Sequence, residues 1–120
     1  MSAADAPAKH IFIVAGEESG DQLGGKLMQA LSSALAGRVA FSGVGGSTMQ
    51  AAGLASLFPM TEIAVMGFAA IARRLPLLLR RVSETARACI AARPDVLVII
   101  DSPDFTHRVG RRVRRGCGGP

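Results

Sequence analysis

The sequence predicts an α/β fold, a parallel sheet with helices on its faces, and three observations carry that prediction. Short apolar runs rich in β-branched residues, "HIFIVAG", "RVAFSGVGG" and "DVLVII", alternate with segments of helical period. The first two runs end in glycines that lead straight into a helix start. The chain has 120 residues, 49% of them apolar, which suffices for one small domain with an aliphatic core.

"HIFIVAG" reads as a buried central strand, apolar on both faces. Ser19 to Ala36 reads as a helix, with Leu23, Leu27, Ala30, Leu31 and Ala34 as its apolar stripe and Gly37 as its stop. "RVAFSGVGG" is a second strand and glycine turn, followed by a short helix, Ser47 to Ala52, closed by Gly53. "LASLFPMTEIAVMG" reads as a short strand and an irregular connection. A long helical pattern runs from Phe68 to Ala92, with a break or kink expected at Pro76, which cannot donate to the Ala72 carbonyl. "DVLVII" is the third buried strand, and "DSPDFTHRVGRRVRR" is a turn and a helix in which Asp104 is expected to cap the start. A sheet of three or four strands keeps exposed edges. The pattern stops after a helix, where another strand is expected, so it reads as the first half of a larger α/β domain.

Composition narrows the function classes. The formal net charge is +5, from 14 basic and 9 acidic residues, which favours anionic partners. Arg108, Arg111, Arg112, Arg114 and Arg115 crowd the end, and Arg73, Arg74, Arg80 and Arg81 form two doublets. No aromatic platform interleaves with them, so nucleic acid is not expected as a partner. Cys89 and Cys117 form neither a zinc spacing nor a disulfide framework, which fits a reducing cytoplasm. "MSAADAPAK" lacks the apolar core of a signal peptide, and no run reaches the roughly 18 apolar residues of a membrane span.

The glycine-rich stretch "AGEESGDQLGGKL" invites comparison with phosphate loops. From Gly16 its spacing is G-x-x-x-G-x-x-x-G, not the G-x-G-x-x-G of dinucleotide sites. "GDQLGGKL" follows the P-loop pattern as far as Lys26 but places Leu27 where a hydroxyl must bind magnesium. A helix start remains, with Ser19 and Gln22 as a capping box and Asp21 suited to the helix dipole. Gly24 and Gly25 each cost about 1 kcal/mol inside a helix, which a close backbone approach, to the sheet or to a ligand, would explain. Ser47 and Gln50 repeat the capping box behind "GVGG".

These turns and the end of the third strand share the carboxyl edge of a parallel sheet, where ligands bind. Glu17, Ser19, Gly20, Gly45 and Gly46 are therefore candidate substrate-binding residues, with backbone amides suited to an anionic group. Asp101 in "VIIDSPDF" is placed to act as a general base, although spacing alone slightly favours an aspartate that bonds the backbone of its own turn. His10 lies at the opposite end and reads as structural, and His107 as exposed. In "MGFAAIARRLPLLLRRV", Phe68, Ile71, Leu75, Leu78 and Val82 form a core-facing row that Leu77 and Leu79 widen between the arginine doublets. Either an acidic membrane surface or a part of the protein outside this sequence would cover that face. Phe68, Ile71, Leu75, Leu77, Leu78, Leu79, Arg73, Arg74, Arg80 and Arg81 are its candidate membrane-facing residues.

"AGEESGDQLGGKL", "FSGVGGSTMQAAGL", "LFPMTEIAVMGF", "RLPLLLRR" and "RPDVLVIIDSPDF", in this order, resemble the lipid-A-disaccharide synthase family over about Ile11 to Arg114. The resemblance implies a Rossmann-like amino-terminal domain of a two-domain GT-B glycosyltransferase, with residues 10–115 as its acceptor-side part, 1–9 as a disordered start and 116–120 as an aberrant or truncated tail. It implies transfer of diacylglucosamine from UDP-diacylglucosamine to diacylglucosamine 1-phosphate (lipid X), with inversion and without metal or cofactor. It places the enzyme peripherally on an anionic membrane surface, the inner face of the bacterial inner membrane, and puts Asp101 at the general base. The sequence departs from the family at Thr106, where asparagine is usual, and at "RRGCGGP", where the family continues with a strand and an HYVSPSVWAW-like segment. With the nucleotide-sugar half absent, the chain alone is expected to be inactive.

Overall fold

The computed structural model describes residues 8–64, 68–100 and 103–116, without the side chains of 63, 64, 68–74 and 103–105. Its elements are β1 (Lys9–Ala15), α1 (Glu18–Ala34), β2 (Val39–Val44), α2 (Ser47–Ala51), β3 (Ala55–Ser56), α3 (Thr61–Ala64), α4 (Phe68–Ala92), β4 (Val96–Ile100) and α5 (Pro103–Gly116). The four strands form one parallel, Rossmann-like sheet in the order β3-β2-β1-β4. Of the two end segments set apart in the sequence, Lys9 opens β1 and Gly116 closes α5. Most of their other residues lie outside the described ones.

β1 is the central strand, and Ile11 to Ala15 are all buried, as an apolar run on both faces requires. It pairs with β2 from Lys9↔Val39 to Val14↔Val44 and with β4 from Ile11↔Val96 to Ala15↔Ile100. α1 packs on α2, and α4 packs on α5. The strand order, with the right-handed crossovers that are the rule between parallel strands, puts the β1–α1–β2 connection on one face and the β3–α4–β4 connection on the other. The sheet is thereby covered on both sides around a core that includes Phe12, Ile13, Met28, Val44, Met49, Val82 and Val109. At the amino end, His10 is locked in place: its amide donates to Asp95 Oδ2 at 2.8 Å and its ring lies 2.8 Å from Ser42 Oγ.

Several local expectations need correction. The apolar stripe proposed for α1 holds only in part: Leu27 and Leu31 pack half-buried against the core, but Leu23 is 58% exposed, and the residues that the helix fully buries are Gly20, Asp21, Gly24, Gly25 and Met28. The reason is the neighbour. A Cβ on Gly24 would lie 2.6 Å from Met49 Sδ, and one on Gly25 would lie 2.5 Å from Thr48 Cγ2 and 3.3 Å from the Thr48 carbonyl oxygen. The two interior glycines admit α2, so the close approach is by a helix and by neither sheet nor ligand.

Neither serine takes the cap position. α1 begins one residue earlier than expected, after Glu17, and has no side-chain cap bond, so Ser19 lies inside its first turn. α2 begins at Ser47 behind Gly46, also without a side-chain cap from its own sequence, and Gln50 Nε2 donates to the Gly45 carbonyl instead. At its other end α1 closes in a Schellman motif. The Gly37 amide donates to the Ser32 carbonyl and the Ala36 amide to that of Ser33, with Ala36 (φ 51°) and Gly37 (φ 78°) both left-handed.

Of the break or kink expected at Pro76, a break does not occur: α4 stays helical through it. The proline forfeits one hydrogen bond, but Leu78, Val82, Ala86 and Cys89 beyond it are buried and hold the helix on the sheet. Leu75, at 37% exposed, is not part of this buried row. The connection before α4 includes a helical turn, α3, that periodicity did not reveal. α5 begins at Pro103, whose fixed φ suits a first helical position, so Asp104 is the second helical residue and not the cap.

Candidate functional site

The strand order defines where a ligand site can lie. From β1 the chain leaves toward β2 on one face, and from the adjacent β4 it leaves through α5 on the other. Diverging connections from neighbouring parallel strands open a crevice at their carboxyl ends, the switch point of a doubly wound sheet. Ala15 and Ile100 are paired at that point. The residues that follow them in sequence are Gly16-Glu17-Glu18 on one side and Asp101 on the other. Asp101 itself lies outside the described residues.

Glu17, Glu18 and Ser19 are exposed beside this point, whereas Gly16 and Gly20 are buried. Gly45 and Gly46 follow β2 at the same edge, next to the end of β1. Their amides are not open to an anion. The Gly46 amide donates to Asp21 Oδ1 at 2.8 Å, and the Gly45 amide donates to Ser56 Oγ at 3.1 Å, whose hydroxyl in turn donates to the Phe58 carbonyl at 2.7 Å. Asp21 also accepts from Thr48 (3.0 Å, Oδ2) and Met49 (2.9 Å, Oδ1). The first turn of α1 thus supplies the cap of α2, and its carboxylate occupies the place that an external phosphate would take. The carboxylates of Glu17 and Glu18 remain exposed, a chemistry that recognises hydroxyl or amine groups.

Sequence reasoning missed Asp21 as a tertiary cap. Its only sequence signal was an acid in a helix first turn, which also has a local explanation. Thr106, the departure noted in the family resemblance, is 1% exposed within α5. His107 is exposed, as expected. Among the described residues no group of side chains could hold a metal ion.

The face of α4 assigned to a membrane is reduced on two points. Leu78 is 6% exposed and belongs to the core. Arg81 is engaged inside the protein: Nε donates to Glu62 at 2.7 Å, Nη1 to Glu84 at 2.9 Å, and the guanidinium lies 4.6 Å from the centre of the Phe58 ring. The Glu62 hydrogen bond, foremost among these contacts, raises the Arg81 pKa above its ordinary value. Leu75 and Leu79, one helical turn apart, stay exposed with Arg80, and Leu77 is half-buried. The side chains of Phe68, Ile71, Arg73 and Arg74 lie outside the described residues. Among the described residues no helix is long and apolar enough to cross a membrane.

Strand order and diverging connections define a doubly wound α/β sheet, a class of fold in which ligands bind at the switch point. The family model described as lipid-A-disaccharide synthetase matches residues 11–117. Curated relatives agree. The lipid-A-disaccharide synthase of Nitrobacter winogradskyi is 59% identical over 113 residues, 94% of this chain and 28% of the relative. That of Rhodopseudomonas palustris strain HaA2 is 58% identical over 106 residues, 88% of this chain and 27% of the relative. That of Rhodospirillum centenum is 52% identical over 105 residues, 88% and 26% respectively. The chain belongs to the lipid-A-disaccharide synthase family, bacterial glycosyltransferases of lipid A biosynthesis, and spans little more than a quarter of those relatives' length.

Proposed function

We propose that residues 10–115 form the acceptor-side part of a glycosyltransferase that moves diacylglucosamine from UDP-diacylglucosamine to lipid X, giving the lipid A disaccharide and UDP with inversion. The observation that carries this reading is the pairing of Ala15 with Ile100 at the switch point, since residue 101 follows Ile100 directly. In this reading Asp101 takes the proton from the lipid X hydroxyl as its oxygen bonds to the anomeric carbon. The bond from that carbon to the UDP oxygen breaks, and UDP leaves with the electron pair. Glu17 and Ser19, exposed at this edge, line the acceptor's sugar, with the buried Gly20 behind them and Gly45 and Gly46 in the neighbouring wall. The inward use of the Gly45 and Gly46 amides favours a sugar over a nucleotide phosphate at this edge.

A chimera tests it. Residues 11–117 of this chain replace the matching segment of the Nitrobacter winogradskyi relative, and disaccharide formation is followed. The chimera is expected to be active and the 120-residue chain alone inactive. Asp101→Asn in the chimera is expected to lower kcat by about a hundredfold or more, with KM little changed. An Asp101→Asn chimera at full rate, or disaccharide formation by the chain alone, refutes this assignment.

The exposed pair Leu75 and Leu79, with Leu77 between them and Arg80 beside them, supports contact with an anionic membrane surface at the inner face of the inner membrane. The chain is expected to float with vesicles containing acidic lipid more than with neutral ones, and Leu75→Ser/Leu77→Ser/Leu79→Ser to lose most of that flotation. Unchanged flotation of the triple variant removes this face from membrane contact.

A further inference from the structure

Arg81 grips the segment that follows β3 from outside the core. Its backbone is fixed in α4 between the buried Leu78 and Val82. Nε donates to Glu62 of α3 at 2.7 Å and Nη1 to Glu84 at 2.9 Å. The guanidinium also lies 4.6 Å from the centre of the Phe58 ring, within reach of cation–π attraction. The segment so held has little structure of its own. β3 pairs at two positions only, and α3 has four residues, too few to hold a helix. Phe58 and Met60 anchor the segment from inside, and Arg81, with 19% of its side chain exposed, closes it from outside. The wall of the crevice rests on this segment. The Ser56 hydroxyl donates to the Phe58 carbonyl at 2.7 Å and accepts from the Gly45 amide at 3.1 Å. The Leu57 amide donates to the Gly43 carbonyl at 2.9 Å. A Cβ on Gly46 would lie 2.9 Å from Met60 Cε, so Met60 is seated directly against that glycine.

We propose that Arg81 is a positioning residue for the acceptor crevice. Acting from α4 through Phe58 and Glu62, it holds residues 56–62, and with them the Gly45 and Gly46 wall, in the shape that receives the acceptor's sugar. This role rests on the reading of that edge as the acceptor site. Two features set the contact apart from an ordinary surface ion pair, which contributes little to overall stability. One guanidinium serves two carboxylates and an aromatic ring at once, which a lysine ammonium does not reproduce. The path from it to the wall is also short and continuous. It runs from Arg81 to the Phe58 ring, from the Phe58 carbonyl to the Ser56 hydroxyl, and from there to the Gly45 amide. Gly45 lies just beyond β2, whose pairing with β1 ends at Val14↔Val44. Loosening of the segment therefore reaches the wall as a local opening and leaves the central ladder closed.

Amide hydrogen exchange in the 120-residue chain and kinetics in the chimera test this role separately. Arg81→Gln and Glu62→Gln are each expected to speed exchange at Gly45 and Leu57 by at least about fivefold, while Phe12 to Val14 of β1 keep their protection. In the chimera the same variants are expected to raise KM for lipid X about fivefold or more, with kcat within about twofold, because the shape of the site changes and its chemistry does not. Arg81→Lys retains a charge for Glu62 and is expected to recover part of both effects. The double variant Arg81→Gln/Glu62→Gln is expected to be no worse than the worse single one, since both remove the same tie. Arg87→Gln, at an exposed position of the same helix, is expected to change neither readout. If circular dichroism shows Arg81→Gln unfolded, Glu62→Gln, at a half-buried position, decides in its place. Unchanged exchange at Gly45, faster exchange spread equally over β1, or a fall in kcat with KM unmoved overturns the role of Arg81. An inactive chimera tells instead against the acceptor reading, and exchange at Gly45 then still decides whether Arg81 holds the wall.

Discussion

Asp21→Ala is expected to destabilise the chain by about 3 kcal/mol, a large share of the stability of a small domain. Asp21 is 3% exposed, and its two oxygens accept three backbone amides, those of Gly46, Thr48 and Met49. Alanine would leave those donors without a protein acceptor at the start of a five-residue helix, too short to hold itself. A charged acceptor is worth more than a neutral one, and each abandoned amide costs about 1 kcal/mol or more. Asp21→Asn separates the charge from the geometry. Its amide oxygen can still take Gly46 and Met49, but its amine then faces the Thr48 amide, donor against donor, so an intermediate loss is expected. Urea unfolding measures both losses, and hydrogen exchange at Gly46, Thr48 and Met49 locates them. Full protection of those amides in Asp21→Ala, or a loss well under 1 kcal/mol, would show that α2 does not depend on this cap. The residues released would be those that wall the crevice beyond β2, so the same variant also bears on the shape of the proposed site.

Asp21 and its glycine partners mark the limit of what the sequence discloses. The alternation of apolar runs with helical segments places all three main strands and the long helices, because burial of a strand on both faces leaves a local record in β-branched residues. The carboxyl edge is legible for the same reason, since strand ends and glycine turns are local. What stays hidden is who meets whom. Gly24 and Gly25 announce a close approach but not its partner, and only α2 seated on α1 identifies it. The capping boxes at Ser19 and Ser47 fit the residue pattern, yet a carboxylate from another helix displaces one of them, and no local rule can foresee that. Leu23 fits the apolar stripe but is exposed because glycines, which register weakly in any hydrophobic pattern, form the buried face. Asp101 was placed beside the crevice by sequence, and the pairing of Ala15 with Ile100 is the structural fact that bears on it.

Gly43→Ala is expected to be the most damaging single substitution among those considered, with a loss of more than about 3 kcal/mol and unfolding of much of the population. Gly43 lies inside β2, opposite Ile13 of β1 on one side and Ser56 of β3 on the other. Its φ is +136°, a conformation that side-chain-bearing residues rarely adopt, and a Cβ there would overlap the Ile13 carbonyl outright. That carbonyl is backbone of the central strand, so it cannot rotate away as a side chain would. Relief requires β1 and β2 to separate, which takes apart the pair on which the core is built. The Gly43 carbonyl also accepts from the Leu57 amide at 2.9 Å, so a shift of β2 would loosen the β3 side as well. Gly53 supplies the control: its φ is +115°, yet a Cβ there would meet nothing within 4 Å. Gly53→Ala is therefore expected to cost only the backbone strain, about 1–2 kcal/mol. The difference between the two variants in urea unfolding measures the overlap with Ile13. Equal losses would mean that the β1–β2 approach yields to a methyl group. The glycine would then be fixed by its backbone angle alone, and the strand ends that frame the crevice would be less rigidly held than their packing implies.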